Sequence, residues 1–209
     1  MLKQIASLLS EPSPAFVFEV SEAGVAMTRM DALPEIQFRP LPKDTISVSP
    51  VRDNVLVADA YAEAVLELTG SLAGRKNRSA VVLLPDNSVR LAVLDFDKLP
   101  ADPKEQLSLI RFRLKKSVPF DIEAAAVSYF PQQADKRVEV IVAASPLEVI
   151  ARYEAPFRLA GLQPGIVTVS ALAMMQIVRE KGVIITAKVS QARALAYPRS
   201  ASENMVALI

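Results

Sequence analysis

The sequence contains no cysteine and no histidine among its 209 residues. Without these two residue types the chain has no disulfide framework, no classical zinc site and no Ser-His-Asp or Cys-His catalytic group. A chain without cysteine is typical of the reducing cytosol. The formal net charge is only +1, so the composition provides no overall electrostatic attraction to nucleic acid.

Long apolar runs are also absent, although 51% of the residues are hydrophobic. No uninterrupted run approaches the roughly 18 residues that a membrane-spanning helix requires. The apolar stretch after Lys3 is interrupted at Ser10, too early for a secretory signal. We interpret residues 1–10 as a docked amphipathic helix or a frayed terminus, because one basic residue is too little for a membrane-surface anchor. We therefore expect a cytoplasmic protein without a direct membrane span.

The first third of the chain predicts an antiparallel meander followed by a helix. The predicted strands cover residues 15–20, 25–30 and 36–39, and a short extended segment covers 46–49. Asp53 is a suitable cap for a helix that runs to about Leu72. The predicted buried face of this helix consists of Val57, Tyr61, Val65 and Leu68.

The central stretch between Ala80 and Asp121 predicts two strands and a helix. The apolar run at 80–84 and the pattern at 89–95 are separated by a short turn cluster, and this tight connection predicts a hairpin. The local signals for the helix are a capping Asp102, a first-turn Pro103, a capping-box Glu105 and the terminating Pro119.

The remainder of the chain alternates strands and helices. The predicted strands cover residues 124–130, 138–144, 164–169, 183–188 and 192–197, and the last two form a hairpin. One helix begins with Ser145 as its cap and ends at Gly161, and another runs from Ser170 to about Glu180. The chain is therefore mixed α/β, without the G-x-G-x-x-G or G-x-x-x-x-G-K fingerprints of dinucleotide and P-loop proteins.

Three charged clusters have alternative interpretations. The loop from Gly74 to Arg78 is interpreted as solvated, because no aromatic residue accompanies its cations as a single-strand binding surface requires. Asp95 and Asp97 are interpreted as a solvated turn rather than a metal site. A third set lies near the end of the central helix and consists of Arg111, Arg113, Lys115 and Lys116. This set is either a charged outer face or a contact surface for an acidic partner or anionic lipid.

An ordered series of motifs runs through the centre of the chain. Leu83-Leu84-Pro85 precedes Val89-Arg90, and the central helix ends in Ser117-Val118-Pro119-Phe120-Asp121. Further along lie Tyr129, the run 140–145, Gly161-Leu162-Gln163-Pro164 and the segment 169–175. In order and spacing, this series resembles the N-terminal portion of the PilM family, the actin-like cytoplasmic proteins of type IV pilus assembly. It is similar, more distantly, to the cytoplasmic actin-like part of GspL proteins of type II secretion and to FtsA. The resemblance covers residues 80–178 in good register and 16–72 loosely.

The resemblance implies an α/β, actin-like (ribonuclease H-like) first domain with an inserted small α+β subdomain. On that basis, residues 1–78 and 165–181 form the first subdomain, and residues 79–164 form the insertion. Residues 182–209 are the start of a second domain or a truncated tail. Most of the second domain is absent, so the chain is a truncated or a reduced relative.

The two phosphate-binding turns of actin-like ATPases can be compared with this sequence. Such turns combine an acidic residue, which positions metal-bound water, with glycine, which lets backbone N–H groups approach phosphate. In the first turn Glu19 stands in for the aspartate and Ser21 for a glycine, and Gly24 follows. The second turn, with Thr186 and Lys188, lacks both the acid and the glycine. We interpret these residues as a degenerate nucleotide site, with no catalytic residue, no metal site and no cofactor; Mg-ATP is the alternative ligand.

The resemblance implies a non-catalytic cytoplasmic adaptor of a type IV pilus or related secretion assembly platform. The implied partner is a bitopic inner-membrane protein of the PilN kind, whose short N-terminal cytoplasmic tail lies in a groove on the first domain. This partner would hold the chain at the inner membrane. The first alternative is a nucleotide-binding actin-like ATPase with degenerate phosphate loops, and the second is an α/β domain with neither activity. The residues leave self-association open.

Overall fold

The computed structural model describes residues 14–30, 35–70, 78–134 and 136–173, together with the backbone of residues 207 and 208. The strands are β1 (Phe16–Val20), β2 (Gly24–Arg29), β3 (Gln37–Pro40), β4 (Ser79–Leu84), β5 (Arg90–Phe96), β6 (Ala125–Ala134), β7 (Arg137–Pro146), β8 (Gln163–Val169) and β9 (Ala207–Leu208). The α-helices are α1 (Ala58–Thr69), α2 (Pro103–Leu114) and α3 (Leu147–Leu159), and short 3-10 helices cover Asp86–Ser88 and Ile122–Ala124. Helical backbone also occurs at residues 170–173.

The larger sheet has the strand order β3-β2-β1-β4-β8-β9. Its first three strands form the predicted antiparallel meander. The next strand, β4, pairs with β1 in parallel, and β8 pairs with β4 in parallel. Because parallel strands run in one direction, the carboxyl ends of β1, β4 and β8 meet at the same edge of the sheet.

Helices α1 and α3 cover one face of the larger sheet. Strand β1 alternates, with Phe16, Phe18 and Val20 fully or almost fully buried. The Phe18 ring contacts the Phe157 ring of α3, with 4.9 Å between their centroids. Tyr61 of α1 joins the same cluster. Helical and strand periodicities therefore direct the large apolar side chains to one shared core.

The smaller sheet has the order β5-β7-β6 and lies between two apolar layers. The central strand β7 is buried along its second half, from Val140 to Pro146. Ile141 and Ala143 join the main core, whereas Val140 and Val142 pack with α2 on the other face. This two-sided burial explains why the sequence of β7 is a continuous apolar run rather than an alternating one.

The structure corrects the predicted pairing of the two central strands. Strands β4 and β5 do not form a hairpin, because β4 pairs with β1 and β8 while β5 pairs with β7. Strand β4 therefore belongs to the larger sheet, and the smaller sheet takes its strands from the stretch between β5 and β7. The short connection favours pairing of β4 with β5. In the structure β4 instead runs parallel to β1 and β8 and pairs with both of them.

The helix ends agree with the sequence signals in part. The Asp102 carboxylate accepts a hydrogen bond from the Lys104 N–H at 3.2 Å, as a cap should. At the end of α3, Gly161 has φ 77° and the N–H of Leu162 donates to the Phe157 carbonyl at 2.9 Å. This pattern is a Schellman ending, which favours glycine because its left-handed conformation is strained for other residues.

Two predicted caps have other functions. The Ser145 hydroxyl donates to the Ser88 carbonyl at 3.2 Å and so joins the end of β7 to the short 3-10 helix before β5 instead of capping α3. Asp53 accepts from the Val55 N–H in a local turn, and α1 begins five residues later, at Ala58. The predicted helix at 1–10, the loop residues 74–77 and the hairpin at 183–197 lie outside the described residues.

Candidate functional site

A cleft of about 560 Å³ lies at the carboxyl edge of the parallel strands β1, β4 and β8. Strands β4 and β8 contribute residues that follow their last buried positions, whereas β1 contributes its own end and the turn after it. The lining residues are Glu19, Val20, Ser21, Glu22, Ala23, Val48, Pro85, Asp86, Asn87 and Ser170. The edge of an α/β sheet is the usual position of a ligand site in such folds.

The β1–β2 turn forms one wall of the cleft and is closed by its own hydrogen bonds. The Ser21 N–H donates to the Gly24 carbonyl at 2.9 Å, and the Ser21 hydroxyl donates to the same carbonyl at 3.0 Å. The Gly24 N–H in turn lies 3.2 Å from the Ser21 hydroxyl oxygen. A serine at this position therefore stabilises the turn, whereas the glycine of an ATPase turn would leave room for phosphate.

Gly24 is required by packing within the sheet. A Cβ atom at this position would lie 2.2 Å from the Arg39 carbonyl oxygen and 2.5 Å from the Phe38 ring. Both contacts belong to β3, which pairs directly with β2. The glycine therefore permits the close approach of two strands, and its presence does not by itself indicate phosphate binding.

The carboxylates of the cleft are engaged by groups of the protein itself. Glu19 accepts a hydrogen bond from the Ser170 hydroxyl at 2.8 Å. Asp86 accepts from the backbone N–H of Ala171 at 2.9 Å. Ala171 lies in the first turn of the helical segment at 170–173. Its N–H is therefore a donor that a bound anion could use, and Asp86 already accepts from it.

Glu22, in the β1–β2 turn, completes the acidic lining of the cleft. Its carboxylate accepts from the Val48 N–H at 3.3 Å, which holds the 41–57 segment against the cleft. Together with Glu19 and Asp86, it gives the cleft three carboxylates, and within the described residues the lining contains no lysine or arginine. The electrostatic field of such a cleft disfavours a polyphosphate and favours a cation.

The hydroxyl groups of two core tyrosines, Tyr153 and Tyr61, are held in their neutral form. Burial is the main cause that raises the pKa of Tyr153 to about 12; Asn54 lowers it in part, and the negative charges of Glu22 and Asp53 raise it. Burial, with a smaller contribution from Tyr153, also raises the pKa of Tyr61 well above its ordinary value. Neither phenol can act as an acid or base near neutral pH, since both remain protonated there.

The structure brings together part of the predicted site. Glu19 and Ser21 line the cleft, and Gly24 closes the turn behind them. Thr186 and Lys188 lie outside the described residues. Asp86 and Ser170 were not predicted as site residues, although Asp86 was part of the predicted turn cluster and Ser170 was the predicted start of a helix. Their proximity to Glu19 depends on the parallel pairing of β1, β4 and β8, which local patterns do not specify.

The basic set on α2 divides into structural and exposed members. Arg111 donates to the carbonyls of Ile122 at 2.7 Å and Ala125 at 3.1 Å. The Arg113 guanidinium lies over the Phe96 ring, 5.3 Å from its centroid. Lys115 and Lys116 are exposed. Two of the four cations therefore stabilise the small unit, which consists of β5, α2, β6 and β7, and two remain at its surface. The other described elements form the larger unit.

The strand-end acids Asp95 and Asp97 are both exposed at the end of β5. Across the described residues, no group of three or more acidic side chains is arranged to hold a metal ion. Asp97 lies 3.6 Å from the guanidinium of Arg137, at the exposed end of the small sheet. Among the described helices, none combines the length and apolar character that crossing a membrane needs.

No protein-family model and no curated protein matches this sequence. Solved structures resemble the chain, and two of them are described here. The PilM-PilN type IV pilus biogenesis complex contains a chain with 24% sequence identity and a TM-score of 0.63, over 78% of this chain and 49% of that one. The cytoplasmic domain of EpsL, an inner membrane component of the type II secretion system of Vibrio cholerae, has 16% identity and a TM-score of 0.51, over 76% of this chain and 58% of that domain. The chain thus spans about half the length of the first of these structures.

At these identities the likeness shows the fold. The described fold consists of the larger mixed sheet with α1 and α3, and of the smaller unit between β4 and α3. The chain therefore has the actin-like α/β fold of PilM and of the EpsL cytoplasmic domain.

Proposed function

We propose that this chain is a non-catalytic cytoplasmic adaptor of a type IV pilus or related secretion assembly platform. Its partner would be a bitopic inner-membrane protein of the PilN kind, bound through its short N-terminal cytoplasmic tail. The observation that carries this proposal is the fold likeness to the chain in the PilM-PilN complex, combined with an acidic cleft where an actin-like ATPase would hold phosphate.

The cleft chemistry argues for an adaptor rather than an ATPase. Polyphosphate recognition needs N–H donors, cations or a metal ion around the ligand. In this cleft Asp86 already accepts from the Ala171 N–H, and the Ser21 hydroxyl closes the turn internally. The carboxylate of Glu22 adds a further negative charge to the lining, which repels phosphate. These contacts support a site that has lost affinity for nucleotide while keeping the fold that surrounds it.

A nucleotide-binding ATPase is the second candidate, because the cleft itself is present. Its volume of about 560 Å³ is within the range of small-molecule sites. Glu19 also stands near the position of the aspartate that would orient metal-bound water. In this candidate Mg²⁺ would have to neutralise the carboxylates before a phosphate could approach.

Calorimetric titration with a synthetic tail peptide distinguishes the two candidates. The probe is the N-terminal cytoplasmic segment of the PilN-like protein from the same organism, titrated with and without Mg-ATP, and a scrambled peptide of equal composition is the control. We expect saturable peptide binding that Mg-ATP does not change. Saturable Mg-ATP binding without peptide binding would establish the nucleotide candidate instead, and no binding of either ligand would contradict both.

A further inference from the structure

The outer surface of α2 combines an exposed aromatic side chain with unpaired cations. Phe112 is 71% exposed, which makes it the most exposed aromatic side chain among the described residues. Buried Ile110 and Leu114 lie two positions to either side of it and pack on the small sheet. At about 100° per residue, Phe112 therefore points away from the protein, opposite the buried face.

The charges around Phe112 have one sign. Lys115 and Lys116 follow within about one helical turn, and both are exposed. Neither forms an ion pair within the described part of the chain. The sequence contains no acidic residue between Gln106 and Phe120, and the nearest acid on the helix, Glu105, lies two turns before Phe112. The carboxyl half of α2 is thus a basic surface with an aromatic side chain at its centre.

The other charged residues near Phe112 already contact groups of the protein. Arg113 is exposed but held over the Phe96 ring, so its charge stays near the surface. Arg111 donates hydrogen bonds to backbone carbonyls. It also pairs with Glu123 at 3.3 Å and so offsets the negative charge of that carboxylate. Asp121 accepts from the Glu123 N–H at the start of the short 3-10 helix. The neighbouring acids are therefore engaged, whereas the two lysines are available to a ligand.

We propose that this surface, formed by Phe112, Lys115 and Lys116, contacts the anionic cytoplasmic surface of the inner membrane. Phe112 would enter the headgroup region, and the lysines, with long apolar stems, would reach the lipid phosphates. The surface is an exposed helix face with a single aromatic residue and charges of one sign, which complement the negative charge of an anionic bilayer. The proposal rests on the proposed function for its location, since an adaptor bound to a membrane protein's tail works close to that bilayer.

The same physics predicts that this contact is weak by itself. One aromatic side chain and two lysines give marginal, reversible association, as a single membrane signal generally does. Binding of a membrane-anchored tail would raise the local concentration of this surface at the bilayer, so that two weak contacts act together. The membrane contact would then orient the chain on its partner and reduce its dissociation.

Cosedimentation with lipid vesicles tests the proposal without the tail peptide. The 209-residue chain is mixed with vesicles of phosphatidylglycerol and phosphatidylcholine, or of phosphatidylcholine alone, at about 50 and about 500 mM salt. We expect binding to the anionic vesicles only, and its loss at high salt because the Debye length shortens to a few Å. Binding to neither vesicle, or equal binding to both, would overturn the proposal.

Matched variants locate the contact. Lys115→Glu with Lys116→Glu should lower the anionic-vesicle partition coefficient at least about tenfold, since each cation near the surface contributes a several-fold factor. Phe112→Ser should lower it several-fold. The control variants carry equal changes on the larger unit, namely Lys43→Glu with Arg52→Glu, and Leu159→Ser, and should bind as the unmodified chain does. Equal losses in the controls would overturn the assignment to α2.

A further arm distinguishes a lipid from an acidic protein. Addition of a polyglutamate peptide should compete only through screening, at concentrations similar to those of simple salt. Saturable, stoichiometric binding of polyglutamate that the α2 variants abolish would identify an acidic protein partner and overturn the membrane assignment. Because vesicle binding is measured without the tail peptide, its failure would leave the peptide-binding result, and hence the proposed function, unaffected.

Discussion

The Tyr61 hydroxyl donates a hydrogen bond of 3.0 Å to the backbone carbonyl of Tyr153, 92 residues further along the chain. The two rings also meet edge to face, with 6.4 Å between their centroids. This contact joins α1, which follows the meander, to α3, which follows the smaller sheet. It therefore ties together two parts of the larger unit that the smaller sheet separates in sequence.

Replacement of Tyr61 by phenylalanine removes this hydrogen bond while keeping the ring. We expect a decrease of about 1 kcal/mol in the free energy of unfolding, as for other buried hydrogen bonds. Urea denaturation followed by circular dichroism would measure it. Tyr129→Phe is the control, because the Tyr129 hydroxyl bonds Gln106 at a partly exposed site and should matter less. An equal effect of both substitutions would contradict the importance of the α1–α3 contact.

Stability should fall steeply in the alkaline range. The unfolded chain loses its tyrosine protons near the ordinary pKa of 10.0, whereas Tyr153 keeps its proton to about 12. The folded state therefore binds more protons between these values. The stabilising contribution of Tyr153 is complete below about pH 10, and the free energy of unfolding decreases as pH rises toward 12. Tyr153→Phe should make the unfolding midpoint less sensitive to pH in this interval; an unchanged dependence would exclude Tyr153 as its source.

Arg111 should be required for the stability of the small unit. Its guanidinium bonds the carbonyls of Ile122 and Ala125 together, a geometry that the single ammonium group of lysine does not reproduce. Arg111→Lys should therefore lower the free energy of unfolding by about 1–2 kcal/mol. Arg113→Lys, which keeps a cation near Phe96, should change it by less than about 0.5 kcal/mol. Thermal unfolding of both variants would compare them directly.

Substitution of two glycines by alanine should change the free energy of unfolding in opposite directions. At Gly24 the added Cβ would overlap the Arg39 carbonyl and the Phe38 ring, so Gly24→Ala should destabilise the fold by about 1–3 kcal/mol. At Gly70 the backbone is right-handed helical, and nothing among the described residues lies within 4 Å of the added atom. Gly70→Ala should therefore stabilise the fold by about 0.5 kcal/mol. Chemical denaturation would measure both changes, and a neutral Gly24→Ala variant would show that β2 and β3 approach less closely.

Asp86 should stabilise the cleft through its bond to the Ala171 N–H. Asp86→Ala removes the acceptor and should lower the free energy of unfolding by about 1 kcal/mol, as the loss of a helix cap does. Asp86→Asn keeps an oxygen at the same position and should remain within about 0.5 kcal/mol of the unmodified chain in the same denaturation experiment. If both variants lose the same amount, the negative charge rather than the hydrogen bond stabilises this edge.

The sequence predicted well those elements whose signals are local. The meander β1–β3 followed from alternating strands and their turns, and α2 from Asp102 and the Pro103 that follows it. Gly161 was recognised as a helix end for a conformational reason that holds in any fold. The lack of cysteine and histidine likewise excluded whole classes of site from composition alone.

The sequence was less informative where a residue has two uses. Ser145 has the pattern of a cap, yet its hydroxyl bonds the carbonyl of Ser88, a buried residue that ends the short 3-10 helix before β5 and whose carbonyl needs a donor. Asp53 caps a local turn and also accepts from Arg152 at 2.9 Å, so α1 begins later than its pattern suggested. In both cases tertiary contacts outweigh a local preference of similar strength.

Sequence patterns predicted most of the described elements, the lack of cysteine and histidine chemistry, and Ser21 at the position where an actin-like ATPase turn has glycine. Tertiary structure alone decided that β4 lies between β1 and β8 instead of pairing with β5. That pairing brings Glu19, Asp86 and Ser170 to one edge, although they are separated by as many as 151 positions. The reason is physical: periodicity specifies which face of a strand is buried, but the choice of neighbour depends on the shared burial of side chains far apart in sequence.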